Sequence, residues 1–294
     1  MQTARTAGPT PVLRIGGLAR LCLALVIGLG ACARAETPRI TPTPFRLRLI
    51  VDASMAPLAR ALTDAYASYR PNAGFAVEAV NARVAAEGLF GGRADLALLG
   101  LEPDPGPNRP PIWTRELAWE AIAIIVRPQN PLTALTLPQA RDIFSGARSR
   151  WNDVGVAGLG DILLGVREEG DSGRVMFDKQ VMGTTRLSSN ALVLASLDVA
   201  VNTVAAQTPA IIYAPSARLA GAGAPKVRAL TLDGVPPSYE GVATGAYPVV
   251  RPVNLVALAE PSGELRQFVA WILSNEGQRV AADLGYVPAN QMQR

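Results

Sequence analysis

The sequence predicts an α/β fold, and three observations predict it. Short apolar strands and amphipathic helices alternate along most of the chain, 294 residues suffice to bury a sizeable core, and no apolar run beyond the N-terminus reaches the ~20 residues of a membrane span. Strand–helix alternation of this kind is the signature of a parallel sheet. At this length the chain makes either one large domain or two lobes of roughly 100–150 residues each.

The first strand is read at Leu47–Val51. The helix after it covers Ala56–Tyr69, where Leu58, Leu62, Ala65, Tyr66 and Tyr69 recur at helical spacing. A second strand follows at Phe75–Val80, a helix at Val84–Phe90 and a third strand at Asp95–Leu99. Pro103–Pro111 is a loop, because proline removes ladder donors and restricts the residue before it. Ala118–Val126 is then long enough to be a strand leaving the first half of the molecule. Thr136 caps a helix with Pro138 in its first turn, and Ser145-Gly146 stops it. Asp161–Val166 is an apolar run of strand length. Helices are read near Ser172 and Leu197, strands at Ala210–Tyr213 and Tyr247–Ala259, and closing helices within Ser262–Leu284. No internal repeat is evident.

The N-terminus has the order of a secretory leader. Arg5, Arg14 and Arg20 are its basic region, and Leu21–Gly30 its apolar stretch, too short to span a membrane. Leu29-Gly30-Ala31-Cys32 resembles a bacterial lipobox, which predicts a signal peptide over residues 1–31, lipidation of Cys32 and a Thr/Pro-rich linker over 32–45. Ala33-Arg34-Ala35 offers a competing cleavage site of the soluble pathway. A lipid chain would hold the protein at a membrane face, and this anchor is the only membrane contact expected.

Charge and composition narrow the function classes. The chain has 28 basic and 24 acidic residues; three of the arginines lie in the leader, so the remainder is close to neutral, without the basic run of a nucleic-acid binder. Cys22 and Cys32 both fall in the leader region, so no disulfide is expected in the folded part. The chain has no histidine. Gly170-Asp171-Ser172-Gly173 carries the letters of the trypsin-like nucleophile motif, but a serine nucleophile of that kind needs a histidine base. No clustered carboxylate spacing suggests a metal. Neither catalysis nor a cofactor is expected.

The chemistry concentrates at the end of the strand over 161–166. Arg167 stands there, and Gly170–Gly173 turns the chain into the helical spacing Val175, Met176, Val181. A helix start leaves backbone N–H groups unpaired, its dipole favours negative charge, and a guanidinium offers a fork of donors; the expected ligand is an oxyanion. The competing reading pairs Arg167 with Glu168 or Glu169 at the surface.

LTLPQARDIFSGARSRWNDVG at 135–155 (in its longer context from Leu132), Arg167 with its Gly/Ser turn, and DGVPPSYEGVATGAYPVVRPVNLV with FVAWILSNEGQRVAADLGYVPAN at the end of the chain carry a resemblance to the solute-binding proteins of phosphate-specific ABC transporters. The resemblance spans nearly all of Leu47 to Asn290. It implies a two-lobed periplasmic-binding-protein fold, type II-like, with mixed sheets and helices on both faces. One lobe would be 46–120 plus 248–294 and the other 121–247. It also implies a monomer of the periplasm or cell envelope that captures phosphate or a related oxyanion and delivers it to an ABC permease. The alternative is a module of the same fold with altered ligand binding, used in signalling or protein interaction.

Carried over residue by residue, the resemblance makes Ser54 and Met55, in the loop before the Pro57-Leu58 helix, donors of a hydroxyl and an amide; Ser54 reads equally as a helix cap. Arg167 falls on the anion-pairing arginine. The family's Ser-Gly-Thr turn falls on Asp171-Ser172-Gly173, or one residue later on Ser172-Gly173-Arg174. Ser172 and the Gly173 amide can donate in either register. Asp171 either accepts a hydrogen bond from a protonated phosphate oxygen or caps the next helix. Two positions depart from the family: its serine after the second strand falls on Ala82, with Asn81 and Arg83 beside it, and its polar position after the third strand falls on Gly100. Asp95 matches an aspartate read as structural.

Overall fold

A computed structural model describes Gly8, residues 43–219 and residues 226–293. The chain divides into two units, Met1–Pro42 and Thr43–Arg294, and the second holds the fold. The expected signal peptide, the lipidation at Cys32, the competing cleavage site and most of the linker lie outside the described residues. No helix among the described residues is long and apolar enough to cross a membrane.

The strands are β1 (Phe45–Asp52), β2 (Ala73–Val80), β3 (Leu96–Leu99), β4 (Trp113–Val126), β5 (Ala134–Leu135), β6 (Leu163–Arg167), β7 (Leu192–Leu194), β8 (Ala210–Pro215), β9 (Arg228–Ala229), β10 (Thr231–Leu232), β11 (Val250–Ala257) and β12 (Val287–Pro288). The α-helices are α1 (Ala56–Tyr69), α2 (Ala82–Phe90), α3 (Leu137–Ser145), α4 (Ser172–Phe177), α5 (Leu197–Ala206), α6 (Tyr239–Ala243), α7 (Gly263–Ile272) and α8 (Asn275–Asp283). Local chemistry explains their ends. Proline sits in the first turn of α1, and α3 opens on a capping box between Thr136 and Gln139. Gly146 ends α3 at φ 82°, a left-handed conformation that a Cβ would disfavour.

Ten strands join in one sheet, ordered β2-β1-β3-β11-β4-β8-β6-β7, with β9 and β12 also on β4; β5 and β10 form a separate parallel pair. The sheet is mixed, as the family resemblance implies, and the parallel sense that the strand–helix alternation points to covers only part of it. Parallel pairing holds only in the wings, β2-β1-β3 and β8-β6-β7. In the centre β11 runs antiparallel to β3 and β4, and β4 antiparallel to β8. The reason is that β11 returns from far along the chain and enters in the opposite direction, so no crossover helix dictates its sense.

Side-chain alternation assigns the helices to both faces. Leu47, Leu49 and Val51 of β1 pack into one apolar cluster with Leu58, Leu62 and Tyr66 of α1 and Phe268 of α7. Ile50, pointing the other way, joins Ala85 and Leu89 of α2. The same division recurs along β4: Ile122, Ile124 and Val126 meet Ile143 and Phe144 of α3 and Phe177 of α4, while Ala123 and Ile125 meet Ala200 and Val204 of α5. The two clusters around β1 draw on residues 47–118 and 253–286. Those around the far end of β4 draw on 121–249, with Val287.

β4 links these regions. Trp113–Ala121 pairs with β11, and Ile122–Val126 pairs with β8, so β4 changes neighbours between Ala121 and Ile122. The polar residues of the site gather beside this change of partner.

Candidate functional site

Arg167 is the last residue of β6 and is 5% exposed. Its Nε donates to Asp171 Oδ2 at 3.2 Å, and its Nη1 donates to the carbonyl of Leu194 at the end of β7. Its backbone N–H donates to the Tyr213 hydroxyl at 3.1 Å. That tyrosine stacks on Phe177 of α4 with centroids 4.2 Å apart, which seats α4 against β8. Gly170 turns the chain at φ 82°. Asp171 then caps α4, its Oδ1 accepting from the Arg174 N–H at 2.9 Å. Of the two readings of Asp171, capping is the contact present. The surface pairing of Arg167 with Glu168 or Glu169 is corrected: Arg167 pairs with Asp171, four residues on, because β6 ends in the interior and the turn brings Asp171 back over it.

Across from this turn β1 ends in Asp52, 1% exposed. Asp52 Oδ1 accepts from the Ser54 N–H at 3.0 Å and the Ser54 hydroxyl at 2.8 Å, fixing the 3-10 turn Ala53–Met55. Ser54 is thus not the cap of α1. That place is taken by Met55, which has no side-chain cap bond and is fully buried.

A third group lies between them. Arg251 and Glu120 face each other directly across β11 and β4, both fully buried. Arg251 Nε and Nη2 donate to Glu120 Oε1 at 2.9 and 2.6 Å, and Glu120 Oε2 accepts from the Ala217 N–H at 3.2 Å. The remaining arm, Nη1, donates to Ser172 Oγ at 2.6 Å and stands 3.7 Å from Asp52 Oδ2. Ser172 in turn donates its hydroxyl to Asp52 Oδ2.

Three further hydrogen bonds join the turn after β6 to the start of α2. Asn81 Nδ2 donates to Glu168 Oε1 at 2.9 Å and to the Glu169 carbonyl at 3.1 Å, and the Arg83 N–H donates to the Gly170 carbonyl at 3.2 Å. Gly100 makes this closeness possible. A Cβ built there would lie 2.3 Å from Ser172 Oγ. Gly173 is packed likewise, its position for a Cβ lying 3.1 Å from Asp171 Oδ1.

The cluster holds two guanidiniums, Arg167 and Arg251, and three carboxyls, Asp52, Glu120 and Asp171. Burying charge is costly unless it is paired, and an excess carboxylate stays uncompensated. The titration of Asp171 and Glu120 reflects this. Burial pushes Asp171 above the usual carboxylate range, with Asp52 adding to the rise and Arg167 opposing it. Burial also raises Glu120, against the pull of Arg251. For Arg251 burial acts to lower the guanidinium, but Glu120 and Asp52 outweigh it and hold the charge firmly in place.

Of the sequence-predicted residues, Ser54, Arg167, Asp171, Ser172 and Gly173 stand in or beside this one cluster, with Met55 packed under it. Asp95, read as structural, pairs with Arg48 at 2.6 Å on the surface. Sequence reasoning missed Asp52, Glu120 and Arg251. The signal for two of them was available: a lone charge inside WEAIAIIV and another inside VVRPVNLV, both apolar strand patterns, must find partners if the strands are buried.

A family model described as the PBP superfamily domain matches residues 33–276. The phosphate-binding protein PstS of Bacillus subtilis is 25% identical over 250 residues, covering 81% of this chain and 79% of that protein. A Clostridium perfringens substrate-binding protein of the phosphate ABC transporter class, solved with bound phosphate, superposes with a TM-score of 0.77 at 22% identity, over 83% of this chain and all of that one. An ABC-type phosphate transport receptor from Vibrio cholerae superposes at 0.69, with 23% identity over 82% of this chain and 99% of the other. With the fold shared by these solved structures and the family model matched over most of its length, the chain belongs to the PBP superfamily and is similar to its phosphate-binding members.

Proposed function

We propose that this protein is an extracytoplasmic receptor that captures phosphate, or a closely related oxyanion, for an ABC permease. One observation carries the reading: Ser172 at the start of α4 bonds Asp52, which holds the Ser54 turn before α1, with Arg251 bonded to Ser172 between them and Arg167 beside them on Asp171, so hydroxyl, amide and guanidinium groups from both halves of the sheet gather in one cluster. Donor sets of this composition suit a tetrahedral anion, and each charge-assisted bond contributes roughly 1.5–3 kcal/mol. Its curated and solved relatives named above are phosphate-binding receptors, and such receptors are not enzymes.

In this reading 46–120 with 248–294 and 121–247 act as two lobes joined through β4 and β11. The lobes close on the anion, and the permease recognises the closed form. Lipidation at Cys32 would keep a monomer at the membrane face beside its permease. Isothermal titration of the protein stripped of anion, with phosphate, sulfate, arsenate and molybdate, tests the reading. The expected result is phosphate binding with a Kd below about 1 μM and no response to sulfate. Silence toward all four anions would overturn it.

A second reading, a ligand-divergent module serving signalling or protein interaction, is favoured by one specific observation. The arginines of the site are already paired with the chain's own carboxylates, Arg167 with Asp171 and Arg251 with Glu120.

A further inference from the structure

All three nitrogens of the Arg251 guanidinium are engaged within the fold, and the residue is fully buried. Nε and Nη2 hold Glu120 Oε1 at 2.9 and 2.6 Å, and Nη1 donates to Ser172 Oγ at 2.6 Å. Glu120 is fixed in its turn. It faces Arg251 directly across β4 and β11, and its second oxygen accepts from the Ala217 N–H at 3.2 Å, in the short turn Ser216–Arg218 that follows β8. A planar fork held through two of its nitrogens has one direction left for the third, and here that direction ends on the Ser172 hydroxyl.

The consequence falls on the hydrogen of Ser172. A serine hydroxyl carries one hydrogen and two lone pairs, and on its own it turns to donate or to accept. With a guanidinium N–H on its oxygen, Ser172 keeps its hydrogen for an acceptor, and the positive neighbour polarises the O–H bond in favour of an anionic oxygen. The hydrogen does go to an anionic oxygen, Oδ2 of Asp52. The place of the hydroxyl is constrained as well. A Cβ at Gly100 would lie 2.3 Å from Ser172 Oγ, and one at Gly173 would lie 3.9 Å from Arg251 Nη1, so backbone closes in on the pair from two sides.

We infer that Arg251 is a positioning residue of the anion site: it holds Ser172 as a donor toward anionic oxygen, is aimed by Glu120, and does not itself touch the captured anion. Two buried arginines thereby take different roles. Arg167 supplies charge to the anion, and Arg251 acts through a hydroxyl. This inference rests on the proposed receptor reading, which takes Ser172 for a ligand donor.

Phosphate titration of the full-length wild type, Arg251→Lys, Ser172→Ala and the double variant tests it as a double-mutant cycle. Lysine keeps the positive charge beside Glu120 and gives up the fork. The Kd is expected to rise about tenfold in Arg251→Lys and in Ser172→Ala, while Arg251→Lys adds less than about twofold once Ser172 is alanine. The same factor in both backgrounds would overturn the inference, because a general structural role and a direct contact with the anion both act without Ser172. Unchanged affinity in Arg251→Lys would also overturn it and leave the receptor reading standing. Absence of phosphate binding in the wild type would remove the receptor reading and this inference with it. A second measurement serves if Arg251→Lys does not fold. At saturating phosphate, the Nη1 resonance of Arg251 is expected to shift in the wild type and to stay in place in Ser172→Ala; a shift in both proteins, or in neither, contradicts a role exerted through Ser172.

Discussion

The two turns that form the site differ in what they present. After β6 the chain offers donors: Arg167, the Ser172 hydroxyl and the first amides of α4. After β1 it offers an acceptor, Asp52, which already holds the Ser54 and Ser172 donors. A receptor that waits for an anion needs donors on both sides, with the ligand supplying the negative charge between them. Here one side supplies the charge itself. The difference teaches that the β1 side of the site is held together by an acidic group of the chain itself, while the donors of the site come chiefly from the β6–α4 turn and from Arg251.

The sharpest way to break the arrangement is Arg251→Ala. It leaves Glu120 and Asp52 buried without their common cation, and removing one partner of a buried pair costs about 3–5 kcal/mol. Chemical denaturation measures it, and a loss below about 1 kcal/mol would mean that the pair is solvated in solution. Gly100→Ala comes next. The added methyl meets Ser172 and the end of Met55, and overpacking of this kind costs about 1–3 kcal/mol. Its unfolding midpoint should fall while the far apolar cluster around α5 is unaffected; wild-type stability in this variant would show that the β3 end can move freely away from Ser172. Asn81→Ala removes two bonds to the β6–α4 turn and should cost roughly 0.5–1.5 kcal/mol, seen as faster amide exchange at Arg83 and Gly170's neighbours. Unchanged exchange would mean that the Asn81 contacts hold nothing shut.

The smallest effect is one of pH. Burial, with Asp52 adding, raises the folded-state carboxyl of Asp171 above its unfolded value of about 3.9. A raised carboxyl contributes stability that is fully present below the unfolded value and lost as pH rises through the folded one. The melting temperature of the wild type relative to Asp171→Asn should therefore increase as pH falls from about 7 toward about 4. A difference that shrinks over that interval would mean that Arg167 outweighs burial at this site.

Much of the architecture was legible in the residues. α1 was read to its observed bounds because its apolar spacing is regular, and α3 because its cap and its glycine stop are both local signals. β4 starts five residues before the expected Ala118, since the three consecutive polar residues Thr114–Glu116 break the apolar pattern and only pairing with β11 identifies them as strand. Strand sense was not legible, because it depends on how β11 returns from a distant part of the chain. The β6–α4 side of the site was legible for the same local reasons: an arginine at a strand end, a glycine turn and a helix start. The other side was not. Asp52 meets Ser172 across 120 residues, and Arg251 meets Glu120 across 131, so no local pattern could bring them together.

In the proposed receptor, Arg167 is the cation that receives the anion at the β6–α4 turn. Phosphate titration of the wild type and Arg167→Ala side by side tests this most directly. Binding is expected in the wild type, with a loss on the order of 100-fold or more in the variant, since the fork contributes more than one charge-assisted bond. Equal affinity in the two proteins would contradict it.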